Sequence, residues 1–64
     1  MASIKFKEGD VVIICFRNNG HEFEIGDVVE IERVCDADYY AFNGYMKWYV
    51  CDDELIGTGV NVLD

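Results

Sequence analysis

The 64-residue chain contains no proline, one tryptophan, one histidine and only five lysine or arginine residues. It also contains no low-complexity linker. Thirteen acidic residues give it a net charge of −8, so it lacks the basic surface that direct binding to nucleic-acid phosphates needs. No apolar run approaches the roughly 20 residues of a membrane span. We therefore expect neither direct nucleic-acid binding nor a membrane-spanning segment.

The cysteine pattern is also sparse, because Cys15, Cys35 and Cys51 show no close pairing. Structural zinc sites usually contain closely spaced ligand pairs such as Cys-x-x-Cys. The first five residues, MASIK, lack the apolar core of a secretory signal. The interpretation is a cytoplasmic protein with reduced, largely buried thiols and neither metal nor cofactor.

Catalysis by a cysteine and His21 is the enzymatic alternative, since such a pair can supply a nucleophile and a base. His21 lies in a polar loop, residues 17–22, and we expect it to be solvated. Nothing in the sequence indicates an oxyanion hole. We therefore expect a non-enzymatic protein.

Chain length limits where a site can lie. Sixty-four residues make one domain, residues 1–64, and a composition that is 52% hydrophobic and 14% aromatic argues against disorder. A domain of this size buries only about 60% of the surface that its unfolded chain exposes. It has no interior to spare for an enclosed ligand, so a site must lie on the surface, in a shallow groove or at an interface.

The clearest pattern is a repeated corner, FKEGDVV at residues 6–12 and FEIGDVV at residues 23–29. Gly9 and Gly26 supply the positive φ of a tight turn. The aspartate that follows each glycine can accept hydrogen bonds from turn N–H groups. The phenylalanine three residues earlier is expected to fold back over the end of the sheet. Each copy is therefore predicted as a turn that leads into a strand.

Alternation after the second corner indicates a half-buried strand. Val29 and Ile31 are predicted to face the core, and Glu30 and Glu32 to face water. The predicted strands are residues 11–16, 27–34, 39–42, 45–50 and 60–63. The first is apolar throughout and is expected to be covered on both faces.

Two connections complete the prediction. Asn43-Gly44 is typical of a type I′ hairpin turn. The acidic residues 51–55 favour one helical turn, ended by the Gly-Thr-Gly of residues 57–59. Five short strands with one helical turn before the last predict an all-β barrel or near-barrel.

The segment FEIGDVVEI, residues 23–31, resembles the diverging turn of SH3 domains. Trp48-Tyr49-Val50 after a hairpin, and a helical turn before the last strand, are similar to the SH3 order. The doubled corner and the spacing of Trp48, Val50 and Leu55 look most like the very short SH3-like proteins of bacteriophages and bacteria. The resemblance implies a five-stranded SH3-like barrel and a phage regulator or inhibitor that binds a host protein in the host cytoplasm. The first strand and the absence of proline depart from the SH3 domains that bind proline-rich peptides, and Trp48 is the candidate match to their binding tryptophan.

Aromatic residues are dense between positions 39 and 49, beyond what so small an interior needs, and exposed Tyr and Trp anchor interfaces. Acidic residues flank them and suit a basic protein partner. The predicted partner surface consists of Tyr39, Tyr40, Tyr45, Trp48, Tyr49, Glu30, Glu32, Asp36 and Asp38.

Several alternatives remain open at this stage. In the first, the aromatics are core residues and the acidic charge serves solubility. In the second, the chain self-associates through an open strand edge as a structural or assembly protein. In the third, its acids mimic nucleic-acid phosphates and occupy the basic groove of a nucleic-acid-binding protein. Calcium binding by residues 52–54 is disfavoured, because no glycine-centred loop of alternating oxygen ligands is present.

Overall fold

A computed structural model describes residues 5–18, 20–36 and 38–64. It contains one antiparallel sheet with the strand order β4-β3-β2-β1-β5. The elements are β1 (Asp10–Ile14), β2 (Val28–Val34), β3 (Tyr39–Phe42), β4 (Lys47–Val50), a 3₁₀ turn (Asp52–Glu54) and β5 (Leu55–Asn61). The predicted all-β class, the five strands and the helical turn before the last strand are confirmed. Within these residues the sheet is not closed, and β4 and β5 lie at its two ends.

The two corners have the same hydrogen bonds. In the first, Asp10 Oδ2 accepts from the Lys7 N–H at 3.0 Å, and the Asp10 N–H donates to the Lys7 carbonyl at 3.0 Å. In the second, Asp27 Oδ2 accepts from the Glu24 N–H at 3.1 Å, and the Asp27 N–H donates to the Glu24 carbonyl at 3.0 Å. The predicted role of the aspartates is confirmed.

The corner glycines also join the corners to the sheet. Gly9 has φ 86° and Gly26 has φ 97°, the left-handed region that glycine enters without strain. The Gly9 N–H donates to Ile31 O and the Gly26 N–H donates to Ile14 O, each at 2.7 Å. Each corner is therefore anchored to a neighbouring strand by the same backbone atom.

One face of the sheet carries the hydrophobic core, and Phe23 is buried in it. Val29 and Ile31 are buried, and Glu30 and Glu32 lie half-buried on the opposite side, which confirms the predicted alternation. The core residues are Val12, Ile14, Phe23, Val29, Ile31, Tyr39, Ala41, Val50 and Leu55. None of the described helical segments is long and apolar enough to cross a membrane.

The first strand is shorter and less covered than predicted. β1 ends at Ile14, and Phe16 is 55% exposed. The N–H groups of Cys15 and Phe16 both reach the carbonyl of Glu54, at 2.7 and 3.3 Å, and strand pairing stops there. The prediction of a strand covered on both faces was wrong, because only one face of this sheet is packed.

The last strand begins earlier than predicted. β5 starts at Leu55 and runs through Gly57 and Gly59, which were predicted to end a turn. Its register against β1 shifts between Val11 and Val12, and the Thr58 hydroxyl donates to Val11 O at 2.7 Å. The glycines therefore mark a β-bulge inside a strand, a position that a strand glycine often takes.

The hairpin between β3 and β4 is not a type I′ turn. Gly44 has φ 100°, whereas Asn43 does not have the positive φ that a type I′ turn requires. The Asn43 side-chain oxygen instead accepts from the N–H groups of Tyr45 and Met46, at 2.8 and 2.9 Å. These bonds hold a four-residue connection, so β4 begins at Lys47 and not at Tyr45.

Candidate functional site

The pairing of β3 with β4 assigns the aromatic residues to the two faces of the sheet. Tyr39 lies opposite Val50 and Ala41 lies opposite Trp48. Tyr39, Ala41 and Val50 are buried, so Trp48 shares the core side of the sheet at its open edge. The outer side of these two strands carries Tyr40, Phe42, Lys47 and Tyr49.

A stacked tyrosine pair forms the centre of the outer side. The rings of Tyr40 and Tyr49 lie 4.9 Å apart between centroids and are tilted by 44°. The Arg33 guanidinium lies 6.0 Å from the centroid of the Tyr40 ring, at the edge of cation–π distance. These contacts restrict the motion of both rings.

Lys47 borders the tyrosine pair and is itself neutralised. Its Nζ lies 2.9 Å from Glu32 Oε1 and 5.5 Å from the centroid of the Phe42 ring. The hydrogen bond to Glu32, and then the charge of that carboxylate, raise the pKa of the Lys47 ammonium. The pair of Lys47 and Glu32 therefore adds no net charge to this end of the outer surface.

Exposed aromatic area is concentrated at the free edge. Trp48 is 43% exposed, Tyr49 is 52% exposed and Tyr45, in the hairpin connection, is 94% exposed. A shallow cleft of about 240 Å³ is lined by Tyr40, Lys47, Trp48 and Tyr49. The cleft is too open to enclose a ligand, but it can take one side chain of a partner.

Tyr39 does not belong to this surface, and its place in the predicted set is corrected. It is 3% exposed, and its ring meets Phe6 edge-on at 5.7 Å. Its hydroxyl oxygen accepts from the N–H groups of Lys5 and Phe6, at 3.2 and 3.3 Å. Burial, and then a hydrogen bond to Asp52, raise the pKa of the Tyr39 hydroxyl. The signal that could have found this is Ala41, because a small residue among aromatics marks the side that packs inward.

The predicted acids divide between the two ends of the surface. Glu30 pairs with Phe42, and Glu32 lies at a register shift of β2 and holds Lys47. Asp36 and Asp38 lie at the opposite end, in the connection from β2 to β3. There the Asp38 carbonyl accepts from the Cys35 N–H at 2.8 Å. Burial, and then Asp38, raise the pKa of the Cys35 thiol.

Two further acids, Asp52 and Asp53, lie at the Asp38 end and are not part of the predicted surface. Cys51 follows β4, and burial together with the charges of nearby carboxylates, which include Asp38, Asp52 and Asp53, raises the pKa of its thiol. Register explains the cluster: Tyr39 pairs with Val50, so the start of β3 meets the end of β4. The sequence alone does not show that Tyr39 pairs with Val50, so it could not predict that these acids lie together.

His21 was predicted to be solvated, and the structure contradicts this. The side chains of His21 and Glu54 are both 0% exposed. His21 Nε2 lies 2.7 Å from Phe16 O, to which it donates, and 3.4 Å from Glu54 Oε2. Glu54 Oε1 accepts from the Cys51 N–H at 2.8 Å. This buried contact joins the loop after β1 to the 3₁₀ turn. The ring of His21 also packs against Phe23, 5.8 Å away between centroids. The polar composition of the loop does not predict this burial.

The three cysteines are unpaired and half-buried. Among residues 5–18, 20–36 and 38–64, no group of three or more His, Cys, Asp and Glu side chains could hold a metal ion. Comparison with protein-family models, with curated proteins and with solved structures finds no match for this chain. The resemblance to SH3 domains therefore rests on the motifs and on the order of the elements.

Proposed function

We propose that the chain is a non-enzymatic module that binds a protein partner through the aromatic surface of β3 and β4. The observation that carries this proposal is the pair of consecutive aromatics on β4, Trp48 and Tyr49, both about half exposed at a free strand edge. Tryptophan and tyrosine are the residues that most often anchor protein interfaces. The stacking of Tyr49 on Tyr40 supports the same conclusion, since an ordered anchor loses little entropy on binding.

The same proposal includes an SH3-like barrel and a phage origin. Its support is the pairing of β5 with β1, the 3₁₀ turn before β5, and the diverging-turn motif of residues 23–31. By this likeness the chain is a small phage regulator or inhibitor that acts on a host protein in the host cytoplasm. The likeness to SH3 domains supports the fold, whereas the binding role is argued from the surface residues of β3 and β4.

The carboxylates favour a basic partner, for which a nucleic-acid-binding protein is one example. Net charge alone, at −8, attracts such a partner and speeds the encounter. A pure mimic of nucleic-acid phosphate is less well supported, because Lys47 and Arg33 lie between the two acidic ends of the surface. Aromatic contacts are therefore the main source of affinity in this proposal.

The test compares the unmodified chain with a Trp48→Ala/Tyr49→Ala variant in capture experiments from host lysate. The control is Val60→Thr, since Val60 is 55% exposed on β5, at the other end of the sheet. We expect the unmodified chain and Val60→Thr to retain the same protein, and the double variant to lose it while keeping its melting temperature within about 10 °C. Equal capture by all three proteins would refute the proposal.

A further inference from the structure

We propose that the partner binds as an added β-strand on the free edge of β4, and that this strand carries lysine or arginine residues. The inference rests on the proposed function and specifies the geometry and chemistry of the partner. Strand addition uses the unpaired N–H and C=O groups of an edge strand for affinity, and the flanking side chains for selection.

The hydrogen-bond pattern of the hairpin shows which groups of β4 are free. The Asn43 N–H donates to Met46 O at 3.2 Å, so these two residues form a hydrogen-bonded pair. In an antiparallel ladder, hydrogen-bonded and non-hydrogen-bonded pairs alternate. By this alternation, the backbone N–H and C=O groups of Trp48 and Val50 bond to β3. The backbone groups of Lys47 and Tyr49 point to the open edge.

The other side of β3 agrees with this count. The Cys35 N–H donates to Asp38 O at 2.8 Å, which makes that pair hydrogen-bonded. Alternation from there directs the backbone groups of Tyr40 towards β2. Tyr49 is the residue of β4 that pairs with Tyr40, so its backbone groups make no ladder bond with β3. Within the part of the chain that the structure describes, they point to the open edge.

The opposite edge of the sheet is less suited to pairing. β5 contains the bulge at Thr58, whose hydroxyl donates to Val11 O at 2.7 Å and accepts from the Val60 N–H at 3.2 Å. A bulge twists an edge and interrupts its regular row of donors and acceptors. β4 has four residues in unbroken register, so it is the edge that can accept a strand.

Side chains flank this edge on both faces. Trp48 lies on the core side and Tyr49 on the outer side, and together with Tyr40 and Lys47 they line the cleft of about 240 Å³. Alternate side chains of an added strand would therefore meet an aromatic ring on either face. The rings also shield the new backbone hydrogen bonds from water.

The charged residues around β4 indicate which side chains are favoured in the partner. Lys47 is neutralised by Glu32. Asp38 immediately precedes β3, and Asp52 and Asp53 follow β4; because Tyr39 pairs with Val50, these three carboxyl groups belong to the segments just beyond the end of β4. A strand that continues past Val50 meets these carboxylates, so basic side chains are favoured there. A second copy of this chain is disfavoured, because it carries the same carboxylates and a net charge of −8.

The test uses a defined probe, a synthetic peptide of about ten alternating valine and lysine residues with blocked ends. We expect it to bind the full chain and to slow amide hydrogen exchange at Lys47 and Tyr49 by about tenfold or more, as measured by NMR. Gly57, which by the same alternation points outwards on β5, is the internal control and should not change. A matched peptide of alternating valine and glutamate should not bind.

Two substitutions of Lys47 distinguish the contribution of its backbone N–H to peptide binding from that of its side chain. Lys47→Pro removes an outward N–H, which an edge strand tolerates, and should weaken peptide binding by about tenfold. Lys47→Ala keeps that N–H and removes the same side chain, so it should bind about tenfold more tightly than Lys47→Pro. Equal binding by the two variants, binding of the glutamate peptide, or absence of protection at Lys47 and Tyr49 would overturn strand addition. Because the exchange measurement uses the unmodified chain, it decides the matter even if Lys47→Pro fails to fold.

Two other outcomes are distinguishable. Protection of Lys47 and Tyr49 that rises with protein concentration alone, together with a dimer in sedimentation, would identify a second copy as the occupant and overturn the proposal. If Lys47→Pro and Lys47→Ala capture the same host protein equally, and Trp48→Ala/Tyr49→Ala captures none, the proposed function holds and strand addition is wrong. If the unmodified chain captures nothing through Trp48 and Tyr49, the proposed function itself fails.

Discussion

Gly9 faces Leu63 across a gap that has no room for a side chain. A Cβ built on Gly9 would lie 2.6 Å from Leu63 Cγ and 2.7 Å from Asn61 Oδ1. Asn61 is already engaged, because its amide donates to Glu8 O at 2.9 Å and to Asp10 Oδ1 at 2.8 Å. The first corner and the end of the chain are thus packed as one unit.

The first prediction compares the two corner glycines. Gly26 has the same kind of positive φ, but a Cβ there would meet nothing within 4 Å. Gly26→Ala should cost about 1–2 kcal/mol from backbone strain alone, and Gly9→Ala about 1 kcal/mol or more beyond that. Urea unfolding of both variants measures the difference. Equal losses would show that Leu63 and Asn61 move aside freely.

The corners show what could be predicted from the sequence. Gly9 and Gly26, each followed by an aspartate, specify local turns whose hydrogen bonds close within four residues. The alternation at Val29 and Ile31 likewise depends on one strand and one core face. Such features follow from local conformational preference and hydrophobic periodicity, which a single sequence contains.

The failures at His21, Gly57 and Tyr39 depend on contacts between segments that are apart in the sequence. His21 is buried because Phe16 and Glu54 come to it, and Gly57 lies within a strand because β1 pairs with it across a bulge. Tyr39 is inside because Val50 is its neighbour on β4. Which tyrosines and which acids belong to the candidate surface is therefore fixed by strand register, which the sequence does not display.

The second prediction concerns how the stability of the fold changes at acid pH. The hydrogen bond from Asn61, and then that from the Lys7 backbone, lower the pKa of the Asp10 carboxyl. A lowered pKa in the folded state stabilises the protein above the ordinary aspartate pKa, and this contribution is lost as the pH falls below about 4. Asp10→Asn should therefore be less stable than the unmodified chain near neutral pH, and the difference should shrink at acid pH.

An NMR titration of the Asp10 carboxyl checks the cause directly. In Asn61→Ala the largest source of the shift is removed, so the pKa of Asp10 should rise towards its ordinary value. An unchanged pKa in Asn61→Ala would assign the shift to Lys7 instead.

The third prediction concerns the buried histidine. His21→Ala removes the donor to Phe16 O, leaves a cavity and removes one neighbour of the Glu54 carboxyl group. An unsatisfied buried acceptor and a cavity each cost about 1–3 kcal/mol, so the loss should be about 3 kcal/mol or more. Glu22→Ala, at the exposed adjacent position, is the control and should change stability by less than about 0.5 kcal/mol. Similar melting temperatures for the two variants would place His21 in solvent after all.

The fourth prediction tests which tyrosine of β3 faces inward. The Tyr39 hydroxyl accepts from the Lys5 and Phe6 N–H groups, so Tyr39→Phe should cost about 1 kcal/mol, whereas Tyr40→Phe, on the outer side, should cost less than about 0.5 kcal/mol. Burial raises the pKa of the Tyr39 hydroxyl. A raised pKa stabilises the fold below the ordinary tyrosine pKa of about 10, and this contribution is lost as the pH rises further. The stability gap between the unmodified chain and Tyr39→Phe should therefore close in alkaline denaturation curves. A gap that stayed constant there would mean that the pKa of the Tyr39 hydroxyl is not shifted and that the hydroxyl lies in water.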